Sequence, residues 1–404
     1  MDKLLNELSS DVKPAYCLNC DVDFDFEVKE NYKRNSAIGL PSAAENDLFR
    51  HFTNLSRKNY ALSTVFYPLG SCTMKYNPLI SESIAKFNAF NAIHPCQPFE
   101  TLQGTLEIMY SLEKDLCEIS GMDAFSLQPA AGAHGEFTGL LIIAKYFKSI
   151  KQKRTKIIVP DSAHGTNPAS AALAGFEIAP LKSEPDGGVS PEKLKALIDK
   201  NTAAIMLTAP NTLGIFEKNI VEISKIAHEN GSLLYYDGAN LNAVMGIVRP
   251  GDMGFDVMHI NLHKTFSTPH GGGGPGAGPV GVKAFLEPFL PAPRVEIKNS
   301  KYVLNYNKPK SIGKMKAFFG NFPVILRAYV YIKALGAKGL KNASEKAVLN
   351  ANYTLSKLAP KIPVQAGTKC MHEFVLSPKS VLQNGVRTLD IAKRLLDYGY
   401  YAPT

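Results

Sequence analysis

Three side chains follow three separate apolar runs in the sequence, namely His164, Asp237 and Lys264. Their residue types could act together on one substrate. A lysine amine in a partly dry site can lose its proton and bond to a carbonyl carbon. A carboxylate keeps a nearby ring nitrogen protonated, and a flat imidazole can stack on an aromatic ring. Pyridoxal phosphate, with its aldehyde and its electron-accepting ring, needs these partners. The three residue types therefore predict a pyridoxal 5'-phosphate site.

A small, glycine-rich segment at 129–136 could hold the phosphate of the same cofactor. It contains Ala131 and Gly132 and leads into a stretch from Gly135 to about Ser149, whose apolar residues recur at spacings of three and four. That spacing predicts a helix. Because backbone N–H groups at the start of a helix bind anions, one cofactor would account for four separate motifs.

Each motif also has an ordinary structural interpretation. An aspartate at a strand end is often a turn or cap residue, and a lone histidine is usually structural. The glycines at 271–276 satisfy G-x-G-x-x-G, but they lead into a strand-like run rather than a helix, which argues against a dinucleotide site. Cys17 and Cys20 have no second ligand pair at zinc spacing. The sequence therefore predicts no metal site.

Short apolar runs that alternate with helical stretches would bring the candidate residues together. Strands are predicted at 156–160, 204–208, 233–236 and 257–261, and helices at 190–200 and 217–230. This alternation indicates parallel strands joined by helical crossovers. Since ligands bind beyond the carboxyl ends of such strands, we expect one site along one edge of the sheet.

The composition limits the class of protein. The 404 residues are 45% hydrophobic and 20% charged, which is typical of a globular chain of two or three domains. The six cysteines are too sparse for a disulfide framework. Acidic residues begin at position 2 and no run of about 18 apolar residues occurs, so we expect neither a secretory signal nor a membrane span. These features predict a cytoplasmic, reducing location.

The formal net charge of +9 comes from one region. Residues 291–350 hold twelve basic and two acidic residues, a local charge of +10, so the rest of the chain sums to −1. The basic residues are not set in a nucleic-acid-binding motif or interleaved with stacking aromatics. The pattern favours a solvated face and leaves open a docking surface for an acidic partner.

Five longer motifs are similar to one enzyme family. They read FYPLGSCTMKYNP at 66–78, HPCQP at 94–98, SLQPAAGAHGE at 126–136, DSAHGTNPAS at 161–170 and NLHKTFSTPHGGGG at 261–274. Together they resemble the pyridoxal-phosphate-bearing subunits of the glycine cleavage system P-protein family, from roughly residue 40 to the end of the chain. The resemblance implies the α/β fold of aspartate-aminotransferase-like enzymes (fold type I), with a mostly parallel seven-stranded sheet flanked by helices and a smaller C-terminal α+β domain.

The resemblance also implies roles for single residues. Lys264 would be the Schiff-base lysine, His164 would stack on the cofactor ring, and Asp237 would pair with the pyridinium nitrogen. Thr208 would bond the 3-hydroxyl side of the cofactor. The phosphate would be contacted by Ala131, Gly132 and His263.

Three regions follow from the resemblance: an N-terminal arm or helical segment at 1–60, a large cofactor-binding domain at 61–315 and a small C-terminal domain at 316–404. Family members usually continue past the YYAP segment at 400–403, so we expect the last domain to be incomplete. The loop Gly70–Lys75 is a family hallmark, interpreted as a substrate or partner contact. Within it, Cys72 is either a nucleophile or a small packed residue.

The activity implied is decarboxylation of glycine, with transfer of the aminomethyl group to the lipoyl disulfide of the glycine cleavage H protein and release of CO2. The implied partners are glycine, glycine dehydrogenase subunit 1 and the lipoylated H protein, in an α2β2 heterotetramer, without nucleic acid or membrane. Two alternatives remain open, a pyridoxal-phosphate decarboxylase of another amino acid and a non-catalytic partner subunit. A nucleic-acid binder that uses residues 291–350 would show strongly salt-dependent affinity.

Overall fold

Seven of the strands pair into one sheet in a computed structural model of the chain. The structure describes residues 3–9, 27–36, 38–65, 68–69, 72–73, 76–270, 276–378, 382 and 385–402. Three segments lie outside the described residues: the glycines at 271–274 with Pro275, the cysteines at 17 and 20, and most of the loop at 70–75. The predictions made for these segments therefore stay predictions.

The strands in chain order are β1 (Pro68–Leu69), β2 (Cys72–Thr73), β3 (Ala124–Ser126), β4 (Lys156–Pro160), β5 (Glu177–Leu181), β6 (Thr202–Leu207), β7 (Leu233–Gly238), β8 (Val257–Ile260), β9 (Val280–Val282), β10 (Arg294–Lys298) and β11 (Lys301–Asn305). The main sheet has the order β3-β9-β8-β7-β6-β4-β5. Its strands β4 to β8 run parallel, and β9 is antiparallel to both of its neighbours. The prediction of a mostly parallel, seven-stranded sheet is confirmed.

The helices in chain order are α1 (Glu45–Arg57), α2 (Leu79–Ala85), α3 (Asn88–Asn91), α4 (Gln103–Ser120), α5 (Gly132–Ser149), α6 (Thr166–Leu173), α7 (Pro191–Leu197), α8 (Ile220–Glu229), α9 (Leu262–Thr265), α10 (Phe322–Leu358) and α11 (Thr388–Asp397). Short 3-10 turns lie at Leu5–Glu7, Glu30–Tyr32, Phe99–Leu102, Pro250–Met253 and Ala284–Phe289. Backbone angles that are not helical interrupt α10 at Gly336. None of the described helices is long and apolar enough to cross a membrane.

Helices cover both faces of the main sheet, which therefore has a hydrophobic core on each side. Successive residues of a strand point to opposite faces, so Tyr235 packs in one core and its neighbour Tyr236 in the other. Strands β6, β7 and β8 are buried along their whole length. Asp237 in β7 and His259 in β8 are therefore ionisable side chains inside a mostly apolar layer.

Two element boundaries differ from the sequence-based prediction in ways that affect the site. The helix predicted from Gly135 begins at Gly132, after Ala131 in extended conformation. Its first turn consists of small residues, which carry no apolar periodicity. Strand β7 was predicted to end at Tyr236, but it continues through Asp237 to Gly238, because these two residues still pair with β8.

The C-terminal part of the chain packs back onto the rest. Helix α10 contacts α2 and α4, and a small core forms between Ala351, Leu355 and Cys370. The Met371 backbone N–H donates to the Gly214 carbonyl at 2.8 Å. This bond brings the segment after α10 to the carboxyl end of the main sheet.

Several of the basic residues between 291 and 350 are used inside the chain. Arg294 forms ion pairs with Glu113 and Glu287, and its side chain is only 9% exposed. Arg327 pairs with Glu82 at 2.8 Å. The interpretation of this region as a wholly solvated face is therefore wrong for these two arginines.

Candidate active site

A cavity of about 720 Å³ opens at the carboxyl ends of β6, β7 and β8. Bound ligands of parallel α/β sheets lie in this position. All seven residues proposed from the sequence line it, namely Ala131, Gly132, His164, Thr208, Asp237, His263 and Lys264. The structure therefore brings the predicted set together in one place.

Asp237 lies at the floor of the cavity and is 3% exposed. Its Oδ2 accepts a hydrogen bond from Asn167 Nδ2 at 2.9 Å, and its Oδ1 accepts one from the Ala239 backbone N–H at 3.0 Å. Burial alone raises the pKa of this carboxyl. The interaction with His259, the hydrogen bonds from Asn167 and the Ala239 backbone, and the Lys264 charge all lower it. The net effect holds the pKa of Asp237 below its ordinary value, so the carboxylate is ionised.

Lys264 follows β8 in the short helix α9 and is half-buried. Its neighbours Leu262 and Phe266 are fully buried, and the Thr265 hydroxyl accepts a hydrogen bond from the Leu241 backbone N–H at 2.8 Å. These contacts fix the helix on the sheet. The lysine amine is thereby held in the cavity, close enough to Asp237 to lower its pKa.

His164 lies at the exposed rim of the cavity. Its Nδ1 accepts a hydrogen bond from the Thr166 backbone N–H at 3.2 Å and lies 2.8 Å from the Thr166 hydroxyl. That hydroxyl donates to Glu136 Oε2 at 3.0 Å. Because Nδ1 faces an N–H donor, the ring proton belongs on Nε2. The imidazole plane is thus fixed from one side, and its face remains accessible.

The start of α5 forms a cradle of small residues beside the cavity. Ala131 precedes the helix with φ −161° and ψ 169°, and no described side chain caps the first turn. A Cβ atom on Gly132 would lie 2.0 Å from Asn261 Oδ1, so only glycine leaves this space open. Asn261 Oδ1 and Thr208 Oγ1 are buried and have no hydrogen-bond partner among the residues that the structure describes. Buried polar atoms normally have partners, so a bound group with polar atoms fits here.

Two further histidines, His270 and His372, complete the lining of the cavity. His263 contacts His270 edge to face, with ring centroids 4.4 Å apart. His372 comes from the segment after α10, and its Nε2 lies 2.9 Å from Asn240 Nδ2. His372 was not identified from the sequence, since no spacing links it to residues more than a hundred positions earlier.

Three other residues at the cavity were not assigned from the sequence. Glu136 and His259 line it, and Asn167 bonds Asp237 at its floor. Glu136 and Asn167 stand inside the motifs at 126–136 and 161–170. His259 is an imidazole in a buried apolar strand, which is the signal that could have identified it.

The segment that follows the loop at 70–75 is joined to the lysine-bearing region. Asn77 Nδ2 donates to the Ser267 carbonyl at 2.8 Å, and the Ser267 hydroxyl donates to the Tyr76 carbonyl at 2.6 Å. Ser267 has a φ of 56°, in the left-handed region that non-glycine residues rarely adopt. These bonds join Tyr76 and Asn77, the two residues after the loop, to a residue three positions beyond Lys264.

One group of three side chains in the described part of the chain is close enough to share a cation. Oxygen or nitrogen atoms of Glu136, Asp237 and His259 lie within 4.8 Å of one another. Hydrogen bonds account for the arrangement, because both oxygens of Asp237 and both ring nitrogens of His259 already have partners. We therefore do not assign a metal to it.

Comparisons with known proteins agree on one family. The model of the glycine cleavage system P-protein matches residues 22–297, and that of the glycine dehydrogenase C-terminal domain matches residues 343–404. A probable glycine dehydrogenase (decarboxylating) subunit 2 of Endomicrobium trichonymphae is 77% identical over 404 residues, which are all of this chain and 84% of the relative. The corresponding protein of Caldanaerobacter subterraneus subsp. tengcongensis is 58% identical, with the same coverage.

A solved structure supports the fold. A crystal structure of glycine decarboxylase (P-protein) of the glycine cleavage system, in inhibitor-bound form, superposes with a TM-score of 0.75 over 93% of this chain and 85% of that chain, at 20% identity. The prediction of fold type I is confirmed. Family models that span most of the sequence and a relative with 77% identity together show that the chain belongs to the P-protein family of the glycine cleavage system, in its glycine dehydrogenase (decarboxylating) subunit 2 group.

Proposed function

We propose that the chain is a pyridoxal-phosphate-dependent glycine decarboxylase subunit that passes the aminomethyl group to a lipoyl disulfide. The observation that carries this proposal is one cavity that contains a lysine amine, an ionised buried carboxylate, a fixed imidazole and a cradle of small residues. When bound, pyridoxal phosphate supplies an aldehyde that bonds amines and a ring that accepts an electron pair. The unpartnered Asn261 and Thr208 oxygens support the fit of such a polar group.

Each predicted residue has a role that its surroundings support. Lys264 provides the amine that bonds the aldehyde, and Asp237 holds a proton on the ring nitrogen because its carboxylate stays ionised. His164 stacks on the ring, and Thr208 bonds its 3-hydroxyl side. The phosphate is held by three residues of the cradle and its surroundings, Ala131, Gly132 and His263.

The residues that line the cavity are compatible with decarboxylation of the substrate. None of the described lining residues is an arginine. An arginine would bind the carboxylate of the substrate in the ground state and so oppose its loss, whereas catalysis needs interactions that strengthen in the transition state. Relatives named as glycine dehydrogenase (decarboxylating) support glycine as the substrate.

The acceptor is the lipoyl disulfide of the H protein. The bond from the glycine Cα to its carboxylate breaks with release of CO2, the sulfur–sulfur bond breaks, and a carbon–sulfur bond forms. The carbon is oxidised, the disulfide is reduced, and a proton ends on the second sulfur. This balance explains why a decarboxylase is named a dehydrogenase.

The subunit 2 names of the relatives support a companion subunit. We infer that this companion is glycine dehydrogenase subunit 1 and that the two subunits form an α2β2 heterotetramer. We place this assembly in the cytoplasm. We interpret the loop Gly70–Lys75 as a substrate or partner contact, and the bonds of Tyr76 and Asn77, which follow the loop, to Ser267 support this. The proposed regions are 1–60 as an arm, 61–315 as the cofactor domain and 316–404 as the small domain.

The direct test is release of labelled CO2 from carboxyl-labelled glycine by the chain co-purified with subunit 1, with and without lipoylated H protein. We expect a yellow absorption band after cofactor is added, and release that depends on the H protein. Faster release from a larger amino acid would overturn the substrate assignment in favour of another decarboxylase. Protein that stays colourless with added cofactor would overturn the cofactor assignment.

A glycine-to-alanine change tests the cradle. We expect Gly132→Ala to weaken cofactor binding at least tenfold, because its Cβ would fall 2.0 Å from Asn261 Oδ1 and close the space. Gly104→Ala is the control, since a Cβ there meets nothing within 4 Å. Cofactor titration followed by visible absorption measures both variants. Equal affinity of both variants would contradict the cradle assignment.

A further inference from the structure

A row of three buried side chains continues from Asp237 into the core, away from the cavity floor. His259 Nε2 lies 3.2 Å from Asp237 Oδ1, and His259 Nδ1 lies 2.9 Å from the Tyr235 hydroxyl. Strands β7 and β8 align Asp237 with His259 in register. His259 is 1% exposed and Tyr235 is fully buried, so water cannot replace either contact.

The donors and acceptors in this row can be assigned from geometry. Both oxygens of Asp237 accept hydrogen bonds, from Asn167 Nδ2 and from the Ala239 backbone N–H, so the carboxylate is the acceptor here as well and His259 Nε2 carries the proton that it donates. The Tyr235 hydroxyl lies 2.9 Å from His259 Nδ1 but 3.5 Å from the Glu136 carbonyl, which is too long for a good hydrogen bond. Tyr235 therefore donates to Nδ1, and that nitrogen carries no proton.

The protonation of His259 determines whether the negative charge of Asp237 is neutralised by a neighbouring cation or remains available to another group. An imidazole with one proton orients the carboxylate through a hydrogen bond and adds no positive charge. A doubly protonated imidazole would pair with the carboxylate and compete with any other cation for it. Asn167 and the Ala239 backbone hold the carboxylate from other sides, and Lys264 and Glu136 are the charged groups that face it.

We propose that His259 is a positioning residue that orients the Asp237 carboxylate, and that Tyr235 acts through His259 by holding its Nδ1 unprotonated. Their combined effect is to leave the negative charge of Asp237 for the ring nitrogen of the cofactor. This inference rests on the proposed function only in that Asp237 faces that nitrogen. The protonation of His259 is a property of the chain itself.

The protonation pattern is testable without cofactor. Nitrogen-15 NMR of the histidine side chains in the cofactor-free subunit pair, assigned with a His259→Gln variant, distinguishes the two neutral tautomers and the cation. We expect His259 to carry a proton on Nε2 alone near neutral pH. A proton on Nδ1, alone or in the cation, would overturn the inference whatever the cofactor does.

Strand β7 offers a matched pair of variants for the second test. Tyr235 and Tyr236 are adjacent, both 0% exposed, and each hydroxyl makes a hydrogen bond, but that of Tyr236 goes to the Ala209 carbonyl. We expect Tyr235→Phe to weaken cofactor binding about threefold to tenfold, the range for one hydrogen bond. Tyr236→Phe should leave affinity within about twofold of wild type. Equal effects would overturn the inference, because they would reflect general loss of packing.

A double-mutant cycle tests whether Tyr235 acts through His259. His259→Leu removes the donor to Asp237 and should weaken cofactor binding about tenfold to a hundredfold, while His259→Gln keeps a donor near the Nε2 position and should restore part of the affinity. Adding Tyr235→Phe to His259→Leu should cause no further loss. Additive losses would show that Tyr235 acts independently. Wild-type protein that does not bind cofactor would instead refute the proposed function.

Discussion

Replacing Lys264 by alanine is expected to abolish the cofactor's visible absorption band in the loaded protein and to lower CO2 release from glycine by about 10⁴-fold or more. Loss of a residue that bonds covalently during a reaction typically has an effect of this size. The structure gives this lysine no substitute. Among the described residues that line the cavity, Lys264 provides the one primary amine.

Borohydride reduction followed by peptide mapping identifies the bonded amine directly. We expect the reduced cofactor on the peptide that contains Lys264 in wild-type protein and on no peptide of the alanine variant. Lys225→Ala is a suitable control, because Lys225 is exposed on α8 and pairs at 3.8 Å with Glu229. Label retained on the Lys264→Ala protein at another lysine would refute the assignment.

The sequence was sufficient to predict the strands and helices that position this site. Strands that are buried on both faces appear as short apolar runs, and helices between them indicate parallel order. Strand β4 was predicted with its observed bounds of Lys156–Pro160. The start of α5 was placed three residues late, because the helix begins with Gly132, Ala133 and His134 before its apolar face begins.

His164, Asp237 and Lys264 could be predicted because each comes at or shortly after the end of an apolar run, and Ala131 and Gly132 because they precede a helix. Thr208 and His263 received their roles only from the resemblance to the family. Residues that act from behind the carboxyl edge of the sheet could not be predicted in the same way. Tyr235 lies within a strand, where an aromatic ring is expected in any apolar layer, and His259 offers only the signal of an imidazole in a buried apolar run. His372 reaches the cavity only because the Met371 N–H bonds to the Gly214 carbonyl, a tertiary contact without a local sequence signal.

Replacing Asp237 by asparagine is the second change for which a large effect is expected. Asparagine has a similar shape and keeps an oxygen that can accept from Asn167 or from the Ala239 backbone, but it has no charge to hold a proton on the ring nitrogen. We expect CO2 release to fall about 10²- to 10³-fold, the range for loss of one preorganised electrostatic contact. Asp237→Glu keeps the charge in a shifted position and should retain more activity. Activity of the asparagine variant within tenfold of wild type would contradict the pairing.

The charge of Asp237 can also be measured without cofactor, through the pH dependence of stability. The folded-state pKa of this carboxyl lies below its ordinary value of 3.8. A carboxyl with a lowered folded-state pKa stabilises the fold at pH values above its unfolded-state pKa, and this contribution is lost as pH falls through the folded-state pKa. Below about pH 4, we therefore expect the free energy of unfolding of wild-type protein to fall more steeply with decreasing pH than that of Asp237→Asn. Chemical denaturation at stepped pH measures both slopes. Equal slopes would mean that the fold does not lower the pKa of this carboxyl. A shallower fall for wild type than for Asp237→Asn would mean that the fold keeps the carboxyl protonated, and a protonated Asp237 could not hold a proton on a ring nitrogen.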